Sequence, residues 1–206
     1  MREPDWKSYI VVEPEPILTP QQCQEFIKLG QAEPQSDGGL MTAGDPNKKD
    51  YTTRKNKVSH IPFEKAPKIY SDILGWMQLV NRNRFGFEGM EMHEAGQYSE
   101  YSEGDFYNWH PDMFKEPYDK LQPTNLIGKV RKLTFVLILN TGYKGGNLEL
   151  KMRNFNTGEN EDKIIREVQG VGNILIFPSF IFHRVRPILK GVRYSLIGWS
   201  IGAPFK

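Results

Sequence analysis

His110 and Asp112, two residues apart in YSEYSEGDFYNWHPD (98–112), are the side chains of this sequence whose types and spacing first suggest metal chemistry. In an extended strand residues i and i+2 face the same way, with Cα atoms roughly 6.5 to 7 Å apart, so an imidazole and a carboxylate project together. Pro111 points to the other face and biases His110 toward extended backbone, which places the pair at the end or edge of a strand. Two ligands hold a metal poorly, and a third must come from elsewhere. The chain has four histidines, His60, His93, His110 and His183. His183 lies in IFPSFIFHRVRP (176–187), an aromatic and β-branched run that predicts a strand, and it is the preferred third ligand; His93 is its main rival and His60 reads as structural or surface. Two histidines and one carboxylate on a rigid β scaffold form the facial triad of non-haem iron(II) sites, which leaves positions open for co-substrate and oxygen.

A second cluster stands ten residues beyond His183. Arg193 and Ser195, in GVRYSLIGW, share one face of the expected last strand. A guanidinium fork with a hydroxyl beside it grips a carboxylate at two points. Alone, Arg193 would read as a surface or salt-bridge arginine. Beside the triad it implies a dicarboxylate co-substrate that chelates iron at one end and is anchored at the other.

These residues resemble the iron(II) and 2-oxoglutarate-dependent dioxygenases, in particular the prolyl 4-hydroxylase-like branch. The motif Y-x-x-G-x-x-Y-x-x-H-x-D is matched by Tyr101, Gly104, Tyr107, His110 and Asp112. Arg131, Thr134, Leu139 and Asn140 match the next strand, Gly145, Gly146 and Leu148 a G-G-x-L segment, and Gly172, Phe177, Pro178, His183 and Arg193 the closing pattern, so the likeness spans roughly 88–201. The resemblance implies Fe(2+), 2-oxoglutarate and O2, with ascorbate a candidate accessory, and hydroxylation of a C–H bond of a peptide or protein with release of succinate and carbon dioxide. It also implies that His110, Asp112 and His183 hold iron and that Arg193, Ser195 and Tyr101 bind the co-substrate. Tyr107, Arg131, Trp199 and Arg54 become substrate-side candidates, each with a plain alternative as a packed aromatic or a surface charge. Arg193 stands where animal and plant prolyl hydroxylases use lysine, as in other branches of the superfamily. That departure keeps 2-oxoglutarate and loosens the inference of a prolyl substrate.

The elements that must position these residues follow from pattern. The 206 residues suit one domain, 1–206, with a sizeable core. Thr19 followed by Pro20 marks a helix start, and Cys23, Phe26, Ile27 and Gly30 form its buried face; Cys23, the single cysteine, is core. A second helix is expected over 62–84, with Ile69, Ile73, Trp76, Met77 and Val80 inward and Pro67 in its first turn. Between them, 34–60 has no sustained period and predicts a long loop, a candidate substrate lid. From 88 onward short strands with glycine punctuation predict a mainly β fold, a double-stranded β-helix or jelly roll, preceded by the two N-terminal helices. Residues 8–18 read as an edge strand, 130–139 as the central strand and 164–169 as a further strand, while 113–129 reads as a polar loop over the metal mouth.

Net charge of +2 gives no global case for nucleic acid or membrane. No signal peptide or transmembrane run is visible, so a soluble cytoplasmic protein is expected. Two alternatives remain open. One is an oxygenase acting on a small molecule or an alkylated nucleic acid base, for which Lys48, Lys49, Arg54, Lys55 and Lys57 could form a phosphate-binding run. The other is a jelly-roll binding module without catalysis.

Overall fold

The computed structural model describes residues 10–13, 15–38, 40–42, 45–120, 123–154, 157–165 and 170–205, without the side chains of residue 12 and of 40–50. Two antiparallel sheets face each other. The larger has seven strands in the order Val11–Val12, Ile174–Pro178, Val130–Ile138, Arg193–Gly202, Gly96–Tyr101, Lys57–Ile61 and Ser36–Asp37. The smaller has five, in the order Asn160–Ile164, Leu148–Arg153, His183–Val185, Phe106–His110 and Arg54–Lys55. This is the expected jelly roll.

The run VRKLTFVLIL shows why the layers form. Its odd-numbered residues Leu133, Phe135, Leu137 and Leu139 pack against helices, whereas Val136 and Ile138 turn into the space between the sheets. Strand geometry sends alternate side chains to opposite faces, and a strand covered on both faces needs apolar residues in both sets. Ile174–Pro178 repeats the arrangement, with Ile174 and Ile176 toward the helices and Leu175 and Phe177 toward the smaller sheet.

The helices are α1 (Pro20–Ala32) and α2 (Pro67–Val80). Thr19 caps α1 by accepting from Gln22 N at 3.2 Å while the Gln22 side chain accepts from Thr19 N at 2.9 Å, a capping box followed by proline at the first helical position. Cys23, Phe26, Ile27 and Gly30 are its buried face, as expected. On α2 the fully buried residues are Tyr70, Ile73, Met77 and Val80, with Ile69 and Trp76 at the margin. A π-helical turn, Asn81–Phe85, extends it to Gly86, whose φ of 69° closes the helix. No helix among the described residues is long and apolar enough to cross a membrane.

Gly30 allows α1 to lie directly on Tyr98. A Cβ there would stand 2.2 Å from the Tyr98 ring. Alanine is the better helix former by about 1 kcal/mol, yet forced overpacking costs about 1–3 kcal/mol, so Gly30→Ala is expected to destabilise the protein. A lowered denaturation midpoint at unchanged denaturant dependence is the measurement that checks it.

Two expectations are corrected. Residues 34–60 do not form a long loop: Ser36–Asp37, a Leu40–Thr42 and Asp45–Asp50 hairpin, Arg54–Lys55 and Lys57–Ile61 are all strands. These strands are two to six residues long and mostly polar, so they show little apolar alternation in sequence. Both sheets therefore recruit strands from before residue 88. The strand expected over 164–169 is instead Asn160–Ile164, and 166–169 lie outside the described residues, as do Ser8 and Tyr9 of the expected edge strand.

Candidate active site and metal centre

His110 and His183 sit on neighbouring antiparallel strands of the smaller sheet and are paired in register. Asp112 does not continue the His110 strand, contrary to the strand-spacing argument. The strand ends at His110; Pro111 has no N–H to extend the ladder, and Asp112 and Met113 both donate backbone N–H to Ser179 O at 2.9 Å. Ser179 follows directly on Ile174–Pro178, so the larger sheet holds the carboxylate that the smaller sheet introduces. The result is still convergent. Asp112 Oδ1 is 3.8 Å from His110 Nε2, Oδ2 is 3.5 Å from His183 Nε2, and the three potential ligand atoms lie within 4.8 Å of one another.

The tautomers are fixed from behind. His110 Nδ1 donates to Asn108 O at 2.7 Å and His183 Nδ1 to Ile181 O at 3.0 Å, which leaves each Nε2 lone pair facing the centre. Burial, then the neighbouring His183, pushes the His110 imidazolium down to about 3, so the ring is neutral at physiological pH. Burial would raise the Asp112 carboxyl, but His183, His110 and Arg131 outweigh it and hold it below its ordinary value. Two imidazole lone pairs and one carboxylate are thus offered together, a donor set that fits iron(II) with open positions. His93 is excluded from it, its Nε2 bound at 2.7 Å to Glu91 Oε2 and outside the His110, Asp112 and His183 group.

Two residues the sequence reading did not assign to this centre support it. Thr134 Oγ1 donates to Asp112 Oδ2 at 2.8 Å and lies 3.0 Å from Ser179 Oγ. The threonine was visible in the motif, but nothing in its spacing showed that it would meet the aspartate. Losing such a support typically costs 10–100-fold in metal affinity. Thr134→Val is expected to weaken iron(II) binding by about that factor, measured by competition with a chromogenic chelator, and to leave the fold intact.

The triad lines a cavity of about 240 Å³ that Arg193 also lines. Arg193 is 2% exposed; its Nη1 donates to Ser195 Oγ at 3.0 Å and its guanidinium lies 5.6 Å from the Tyr101 ring centre, on the strand partnered in register. Among the described residues no carboxylate forms an ion pair with it. Buried cations are ordinarily paired, so an arginine held in this way is set up for an anion supplied from outside.

The substrate-side candidates all line the same cavity in different states. Tyr107 stacks on His110 with ring centres 3.4 Å apart, and burial pushes its phenol up to about 12. Arg54 lies 4.5 Å over the other aromatic partner, Tyr107. Arg131 is already engaged: Nε and Nη2 grip the Glu94 carboxylate, Nη1 donates to Asp112 O at 3.2 Å, and its plane covers Trp199 at 3.6 Å. Glu94, which sequence reasoning left unassigned, therefore braces Arg131 against the Asp112 backbone. From the segment 113–129, Phe114 reaches the cavity and Tyr118 Oη donates to Glu94 at 2.8 Å. Of the basic run, Lys55 pairs with Asp105 at 3.4 Å and Lys57 with Glu100 at 3.5 Å, while the side chains of Lys48 and Lys49 lie outside the described residues.

Facing antiparallel sheets with a two-histidine, one-carboxylate centre at the mouth define a double-stranded β-helix metal site. Residues 96–201 match the family described as the 2OG-Fe(II) oxygenase superfamily, and the chain belongs to it. Membership implies Fe(2+) and 2-oxoglutarate, which the triad and the unpaired arginine fit. A PKHD-type hydroxylase of Idiomarina loihiensis is 31% identical over 102 residues, 48% of this chain and 38% of that protein. One from Synechococcus sp. (strain CC9605) is 32% identical over 100 residues, 48% of this chain and 37% of its own. The matched stretch is thus well under half the length of these relatives. Among solved structures, a Pseudomonas putida prolyl-4-hydroxylase superposes with TM-score 0.64 at 19% identity, covering 93% of this chain and 91% of the other. A Trichoplax adhaerens prolyl hydroxylase in complex with a hypoxia inducible factor oxygen degradation domain peptide gives 0.66 at 18%, covering 94% and 83%. At these identities the likeness establishes the fold.

Proposed function

We propose that this protein is an iron(II)- and 2-oxoglutarate-dependent hydroxylase that inserts oxygen into a C–H bond of a peptide or protein, in the manner of prolyl 4-hydroxylases, releasing succinate and carbon dioxide. One observation carries the reading: a buried arginine, Arg193, with no ion pair among the described residues, shares a single cavity with three converging candidate metal ligands. A binding module with a structural metal has no use for that cation.

His110, Asp112 and His183 would hold the iron, which when bound supplies oxygen activation coupled to decarboxylation of the co-substrate. The residues of the chain bind and orient. Arg193 takes the far carboxylate of 2-oxoglutarate, with Ser195 fixing the guanidinium through Nη1 and Tyr101 packed beside it. Val136, Leu148 and Ile197 give the cavity between these two ends apolar walls, which strengthen the charge pairing and exclude water. Tyr107 holds the His110 ring in its plane by stacking. Arg131, locked by Glu94, fixes the Asp112 backbone, so the carboxylate keeps its aim when substrate enters.

The complex of the Trichoplax neighbour with a peptide supports a peptidyl substrate over a small molecule. The pairing of Lys55 and Lys57 with Asp105 and Glu100 removes two charges from the run that would have tracked a nucleic acid backbone. The test is an anaerobic titration of apo-protein with iron(II) and 2-oxoglutarate, followed in the visible range, and then a succinate assay after oxygen is admitted. The chelate's charge-transfer absorption followed by succinate is expected. Neither band nor succinate would return the protein to the binding-module class.

A further inference from the structure

We propose that Arg54 recognises a carboxylate on the primary substrate, so that the hydroxylated peptide is acidic near the reacting residue. The inference rests on the site assignment above and adds the substrate's charge. Three arginines line the cavity, and Asp112 is the one acidic residue among its described walls. Arg131 is neutralised by Glu94, and Arg193 is reserved for the far carboxylate of the co-substrate. A bound iron(II) adds two positive charges, which Asp112 and the chelating end of 2-oxoglutarate together neutralise. Arg54 is left over. It is 7% exposed, no carboxylate forms an ion pair with it among the described residues, and its Nη2 is buried with no hydrogen-bond partner. An arginine buried only for structure has its donors satisfied, because an unmet charged donor is costly.

The neighbourhood is built to hold this side chain rather than to satisfy it. Nε donates to Asn56 Oδ1 at 2.8 Å, and Asn56 Nδ2 donates to Lys57 O at 3.2 Å. Gly38 lies against that pair, where a Cβ would stand 2.0 Å from Asn56 Oδ1 and 3.0 Å from Arg54 Nε. Nε is thereby tied back, and Nη2 is left buried without a hydrogen-bond partner on a residue that lines the cavity. It rests 4.5 Å from the Tyr107 ring centre, and Tyr107 stacks on the metal ligand His110 at 3.4 Å. A carboxylate that meets Arg54 therefore sits one aromatic ring away from the ring of a metal ligand. A nucleic acid phosphate would need a continuing basic track, and Lys55 and Lys57 on either side of Asn56 are both in ion pairs.

The carboxylate has two sources, a chain terminus or an acidic side chain, and the test separates them. Four ligands are titrated calorimetrically into protein loaded anaerobically with iron(II) and 2-oxoglutarate, and into apo-protein. They are Ac-Gly-Pro-Gly amide as neutral reference, Ac-Gly-Pro-Gly with a free C-terminal carboxylate, Ac-Glu-Pro-Gly amide, and a single-stranded oligothymidylate. At least one acidic peptide is expected to bind about tenfold or more tightly than the reference, the scale of one charge-assisted hydrogen bond. In Arg54→Gln the preference is expected to collapse to within about twofold, with Arg54→Lys between the two. No acidic preference in the wild type, an undiminished preference in Arg54→Gln, or Arg54-dependent binding of the oligonucleotide alone would overturn the proposal. The chelate absorption, read on the same samples, reports folding of each variant and keeps the two readings apart. A band without acidic preference defeats this inference and spares the oxygenase reading; acidic preference without a band does the reverse.

Discussion

Replacing Asp112 by alanine is expected to eliminate the iron(II)–2-oxoglutarate absorption and to lower succinate formation roughly a thousandfold, well beyond the 10–100-fold that follows loss of an outer support such as Thr134. Asp112 is the one carboxylate among the three candidate ligands, and it is buried between the His110 and His183 rings. Without it the site offers a divalent cation no charge compensation in a poorly solvated cavity. The matched control is His93→Ala, which removes a histidine bound to Glu91 and is expected to leave iron affinity unchanged. Retained chelate absorption in Asp112→Ala would show that the carboxylate is not a ligand, and loss of the band in His93→Ala would move the third ligand there.

Arg193→Leu is expected to separate affinity from stability. Truncating one partner of a buried charged pair costs about 2–5 kcal/mol, so 2-oxoglutarate should bind roughly 30- to 5,000-fold more weakly. The apo-protein, by contrast, loses a buried cation that has no acidic partner among the described residues, and leucine suits the apolar neighbours Val136, Leu148 and Ile197. Its thermal midpoint is expected to stay level or rise. Co-substrate titration and a melting curve on the same preparation check both halves. A large fall in midpoint would mean that Arg193 supports the fold and that its place in the cavity is incidental.

Much of this site was legible because its chemistry is written in short spacings. His110, Asp112, His183 and Arg193 each stand in a segment whose neighbours declare a strand or its end, and the jelly roll follows from alternation in runs such as 130–139. What was not legible depends on contacts between distant segments. Nothing near Glu94 announces that it will clamp Arg131, and nothing near Ser179 announces that its carbonyl will receive the Asp112 and Met113 amides. The strands within 34–60 were hidden for a different reason: they are short and mostly polar in sequence, and they are defined by backbone pairing with distant segments such as 96–101 and 106–107. Arg54 reads in sequence as one of five basic residues. The family resemblance already marks it as a substrate-side candidate, and the pairing of Lys55 and Lys57 elsewhere, with the tie to Asn56, separates it physically from its neighbours.

The strand Arg193–Gly202 lies fourth of seven in the larger sheet, between Val130–Ile138 and Gly96–Tyr101. It is also the last strand of the described chain. The middle of this sheet is thus completed by the latest-synthesised of its described strands, and until then its two neighbours each keep an unpaired edge. Such non-local pairing is slow to form and exposed to misassociation while it waits. Because the same strand carries Arg193 and Ser195, the proposed co-substrate anchor and the closure of the sheet arrive as one event. Before that event this sheet is unfinished and the proposed anion clamp is not assembled, so under the proposed function co-substrate binding would report on closure of the sheet.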